Sequence, residues 1–158
     1  MKLAEALIIR ADARKRIAQI QERLGRNISV QEGGQPPEDP QELLRELDRT
    51  IAEFTRLAKN VNRTNASTPF DGDITLTDAL ANRDALSMRH SALSNVIRQA
   101  ASFSQQTRYS LSEIRQVVTV DIAVLQKQAD DIARQFRELD TAIQQMNWQI
   151  DLLEDDIN

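Results

Sequence analysis

Cysteine is absent from this chain, and histidine occurs once, at position 90. Without thiols there is no disulfide scaffold and no thiolate metal site. With one imidazole, neither the paired Glu-x-x-His motifs of di-iron bundles nor the HExxH zinc motif can be assembled. The residue three before His90 is Ser87, not Glu. Glycine and proline number four each among 158 residues, and aromatics make up 4%. A sandwich or barrel needs frequent turns and strand-forming aromatics, so this shortage points to long helices.

Long hydrophobic runs are missing too. Nothing approaches the ~18 apolar residues of a membrane span. The opening "MKLAEALIIRADARKR" is interrupted by Glu5, Arg10 and Asp12, which leaves no signal-peptide core. A cytoplasmic location is the expectation. The formal charge is -4, with 20 Lys and Arg interspersed among 24 Asp and Glu. A duplex-binding module concentrates positive charge on one face, so nucleic acid is not an expected partner. There is no phosphate-binding Gly-rich loop, no GxSxG elbow and no Glu-x-x-Glu pair for magnesium; Glu42 and Glu46 are four apart and bracket Arg45. The chain is therefore read as non-enzymatic, with no catalytic residue, metal ligand or cofactor assigned.

What the sequence does have is apolar residues, 41% of the total, recurring at helical spacing. The first helix is expected from about Leu3 to Leu24, with Leu3, Ala6, Leu7, Ala13, Ile17, Ile20 and Leu24 on one face and Arg10 and Arg14 beside it. "RNISVQEGGQPPEDP" breaks it. A second helix opens on Asp39 as N-cap, Pro40 at the first position and Glu42 completing a capping box. Its stripe is Leu44, Leu47, Ile51, Phe54, Ala58 and Val61, reaching Asn65. The polar stretch "NRTNASTPFDGDITLTDAL" (62–80) is expected to be a corner, with Thr75 or Thr77 capping the third helix.

That third helix runs to about Phe103 on a seam of Ala79, Arg83, Leu86, His90, Leu93, Ile97 and Ala100. The fourth, from about Val118, carries Ile122, Leu125, Ala129, Ile132, Phe136, Leu139, Ile143, Met146, Ile150, Leu153 and Ile157 at unbroken four–three spacing. This pattern predicts ~36 helical residues, or ~54 Å. A short two-stranded β element is expected around 28–31 and 114–119. The fold class is thus all-α: an elongated antiparallel bundle of four main helices with coiled-coil-like seams, residues 1–158 forming a single domain.

Two sets of side chains stand out. Arg10, Arg83 and His90 are polar residues at or beside core-facing positions, candidates for an interior polar network that sets helix register. His90 can also be read as a pH-responsive contact. Trp148 and Leu152 lie one turn apart and off the main seam, and Phe70 sits at the exposed corner; these are candidate interface residues. Surplus apolar surface on the last helix points to a homo-oligomer or another protein partner, and a membrane is not expected.

The strings "VQEG" (30–33), "EDP" (38–40), "LTDAL" (76–80), "RYSLSEIR" (108–115), "LQKQAD" (125–130) and "NW" (147–148) resemble a family of small bacterial proteins labelled septicolysin or uncharacterised. The likeness spans nearly the whole chain and includes no catalytic signature. The label implies a cytolysin. Three function classes follow: self-assembly or protein binding, membrane lysis as the label implies, and small-ligand or metal binding through the interior polar residues.

Overall fold

The computed structural model describes residues 1–109 and 117–154. It is all-α, of the helical-bundle class: α1 (Leu3–Asn27), α2 (Pro40–Ser67), α3 (Leu76–Tyr109) and α4 (Ile122–Gln149), with a small hairpin, β1 (Pro69–Asp71) and β2 (Ile74–Thr75), before α3. The chain divides into two compact units. One comprises Met1–Pro69 and Gln144–Asn158, the other Phe70–Ile143.

The helix starts obey local chemistry. Glu5 reaches back to accept the Lys2 N–H at 2.7 Å. Asp39 accepts from Gln41 N–H at 2.9 Å, but Glu42 pairs with Arg45 and does not complete the expected box. Thr75 and Asp78 form a reciprocal box before α3. The Thr75 N–H donates to Asp78 Oδ2 at 2.8 Å, and the Asp78 N–H donates to Thr75 Oγ1 at 3.3 Å. Asp121 accepts from the N–H groups of Ala123 and Val124, so α4 begins at Ile122 and not near Val118.

In the first unit α1 and α2 are antiparallel neighbours, joined by Arg16–Glu46 at one level and Arg23–Glu38 nearer the connection. The α1 face agrees with the sequence, since Leu3, Ala6, Ala13 and Ile20 are buried. The α2 face agrees in part: Val61 is buried and Leu47 and Phe54 are half-buried, as expected. Leu44 and Ile51 are each 42% exposed, whereas Leu43, Thr50, Leu57, Val61 and Thr64 are buried. Together with half-buried Leu47 and Phe54 these keep four–three spacing, sharing Leu47, Phe54 and Val61 with the expected stripe and replacing Leu44, Ile51 and Ala58 by Leu43, Thr50 and Leu57. Two of the positions are threonines whose hydroxyls donate to backbone carbonyls, Thr50 to Glu46 and Thr64 to Asn60, both at 2.8 Å. That hydrogen bond removes most of the cost of burying the hydroxyl.

The last helix is 28 residues long, shorter than the heptad pattern suggests. Beyond Gln149 the chain extends and pairs with the first residues. Leu3 N–H donates to Ile150 O and Leu152 N–H to Met1 O, both at 2.9 Å, around an antiparallel bridge between Lys2 and Asp151. The Lys2 ammonium bonds Gln149 O at 2.9 Å, placing a cation on the negative end of α4. The pairing satisfies backbone groups that another helical turn would have used, and it buries Leu152. Ile157 lies outside the described residues.

In the second unit α3 and the α4 residues up to Ile143 form an antiparallel pair, with Leu76, Ala79, Ala100, Ala129, Ile132 and Ile143 buried. Residues 28–31 form no strand; they lead into a turn at Glu32 and Gly33, and of the expected partner segment residues 114–116 lie outside the described residues. The only described sheet is the β1–β2 hairpin in the "DGD" corner. Gly72 takes the first loop position at φ 57°, a conformation that suits glycine.

Candidate functional site

The seam of α3 holds Arg83 and His90 two turns apart, as their spacing requires. Arg83 is tied down. Its Nη1 donates to Asp140 of α4 at 3.3 Å and its Nη2 to the neighbouring Asp84 at 2.9 Å. His90 is half-buried and faces a cleft of about 220 Å³ between α3 and α4, lined by Ser87, His90, Ala133, Phe136 and Arg137. Ser87 and His90 come from one turn of α3. Ala133, Phe136 and Arg137 come from one face of α4, at the i, i+3, i+4 spacing that brings side chains together. Arg10 lies elsewhere, on α1 in the first unit, half-buried on the face between Leu3 and Ile20.

A second cleft, of about 430 Å³, lies at the far end of α3 in the same unit. Val96, Gln99, Ala100 and Phe103 form one wall and Val117–Val120 the other. Three of its four valines are exposed, Val96 and Val120 at 40% and Val117 at 79%, and Val118 is half-buried.

The first unit carries a charged clamp that the sequence did not single out. Arg23 donates through Nε to both oxygens of Glu38 at 3.2 Å, and through Nη1 to Glu46 at 3.4 Å. The guanidinium holds the Glu38 carboxyl below the usual carboxylate range. Asn27, buried at the end of α1, donates to Arg23 O at 2.8 Å and accepts from Glu38 N–H at 3.0 Å. This cluster fixes the α1–α2 connection, and its charges are already matched.

Of the three expected interface residues, Trp148 is 55% exposed on the last turn of α4. Phe70 is half-buried in β1. Leu152 is a correction. It is 7% exposed, held inside the chain by the terminal pairing, and has no surface to offer a partner. What the sequence missed was partnership: Asp140 for Arg83, and Arg137 and Phe136 beside His90. Helical spacing within α4 groups the last two, but nothing local assigns them to α3.

Among the described residues, no helix is long and apolar enough to cross a membrane. No three His, Asp or Glu side chains there gather as a metal site.

A comparison with curated proteins found no match. Among solved structures, the chain is similar to a functionally unknown conserved protein from Corynebacterium diphtheriae. The two are 42% identical, with a TM-score of 0.89 over 97% of this chain and 99% of that one. Residues 10–152 match the model of a family of unknown function, DUF6847, and the chain belongs to that family.

Proposed function

We propose that this protein is non-enzymatic and acts by protein–protein contact, with a second copy of itself as the partner. The observation that carries the reading is the valine-lined cleft at the end of the second unit. Val96, Val117 and Val120 keep 40%, 79% and 40% of their surface in water. A contiguous apolar surface of this kind marks a contact site more often than solvent-facing decoration. The lining carries no charged residue, so a second copy of the same surface can face it without like-charge repulsion.

Sedimentation velocity at micromolar concentration tests this. The wild type is expected to sediment as a defined oligomer and V117D as a monomer; at 79% exposure Val117 tolerates a charge without unfolding the unit. A monomeric wild type would overturn the reading. W148A is the second arm: loss of the oligomer there, with V117D unchanged, would move the contact to Trp148. Dye release from vesicles of several lipid compositions would instead favour the cytolysin class implied by the septicolysin resemblance.

A further inference from the structure

We propose that the cleft around His90 is a binding site for a small organic anion, a carboxylate carried on an apolar body. The chemistry of the lining divides in two. Phe136 and Ala133, half-buried, supply an apolar floor, and Ser87, His90 and Arg137, whose side chains carry a hydroxyl, an imidazole and a guanidinium, complete the lining. No carboxylate lines the cleft. Two nearby acids are matched to other cations: Asp140 takes Arg83 at 3.3 Å, and Asp131 takes Arg134 at 3.2 Å. Among the described residues neither His90 nor Arg137 has a hydrogen-bond or ion-pair partner. Arg83, two turns before His90 on α3, and Arg134, one turn before Arg137 on α4, are both paired, so the two unmatched donors stand together at this cleft.

A guanidinium presents a planar fork that pairs with an oxyanion, carboxylate or phosphate, through two parallel hydrogen bonds. The apolar floor adds a contact that a bare inorganic anion cannot use. Size sets the limit. At about 220 Å³ the cleft is smaller than sites for drug-sized ligands, which span roughly 300–1,000 Å³. The ligand class is therefore a monocarboxylate with one small ring or a short alkyl chain.

The single histidine makes the test direct, because every imidazole signal in the spectrum belongs to His90. The full-length protein is titrated with benzoate, with its neutral isostere benzamide, and with acetate, following the His90 ring protons by NMR. Benzoate is expected to give saturable shifts, with benzamide and acetate each binding at least tenfold more weakly. R137Q changes an exposed side chain and leaves the fold intact by circular dichroism. It is expected to weaken benzoate at least tenfold while leaving benzamide unchanged. Equal binding of benzoate and benzamide, unchanged benzoate affinity in R137Q, or no saturable shift at tens of millimolar benzoate would each overturn the assignment. None of these outcomes depends on oligomeric state.

Discussion

The hydroxyl of Thr64 accepts a hydrogen bond at 2.9 Å from the backbone N–H of Leu153, 89 residues along the chain, while donating at 2.8 Å to the carbonyl of Asn60. One buried side chain thus closes its own helix turn and anchors the extended segment after α4. Thr64→Val keeps the shape and removes both bonds, leaving the Leu153 N–H without its acceptor. A loss of about 1–3 kcal/mol is expected in urea denaturation. Thr64→Ser, which keeps the hydroxyl, should recover most of it.

The register of α2 is open to a paired substitution. Leu57 is 2% exposed and Leu44 42%. Leu57→Ala is expected to cost about 2–5 kcal/mol, through lost transfer energy and a residual cavity. Leu44→Ala should stay within about 0.5 kcal/mol of wild type. The reverse order in chemical denaturation would restore the stripe that begins at Leu44.

Acid should weaken the fold. Glu38 is held below the usual carboxylate range by hydrogen bonds from Arg23, Asp78 by the Thr75 backbone N–H, and Asp151 by the Lys2 ammonium. Each binds its proton less readily folded than unfolded. Their contribution is therefore complete above the unfolded values, about 4.3 for Glu and 3.9 for Asp, and is lost as pH falls through the lower folded values. Urea midpoints should fall across that acid window. Glu38→Gln should make the fall shallower, and an identical slope in the variant would rule out Glu38 as a contributor.

Two glycines should respond in opposite directions to alanine. Gly72 sits at φ 57°, where a Cβ is strained, so Gly72→Ala is expected to destabilise by about 1–2 kcal/mol. Gly25 lies within α1, and a Cβ there would meet nothing within 4 Å. Gly25→Ala should stabilise by about 0.5–1 kcal/mol, because it reduces the freedom of the unfolded chain. Thermal melts of the two variants decide both.

Legibility in the sequence followed the range of the interaction. The α3 seam through Arg83 and His90 was readable because its spacing is a property of one helix. The "DGD" corner was placed correctly as a turn, although its hairpin was not foreseen. The α2 face is legible only at Leu47, Phe54 and Val61, because Thr50 and Thr64 look polar. Their hydroxyls are satisfied within the helix, which lets them occupy core positions while Leu44 and Ile51 face water. The cleft at His90 was half visible. Ser87 and His90 share a turn of α3, but Arg137 joins them only because α4 returns antiparallel to it.

By itself the sequence determined the helices, most of their starts and the breaks between them. Caps, glycine and proline act within a few residues, and apolar spacing is a property of one segment. Tertiary structure alone decided which face of α2 is covered, that α4 stops at Gln149, and that Leu152 is buried. Those outcomes depend on which distant backbone and side-chain groups are within reach. A heptad pattern can call for another turn, but hydrogen bonds from Leu3 and to Met1 offered the last residues a different way to satisfy their backbone.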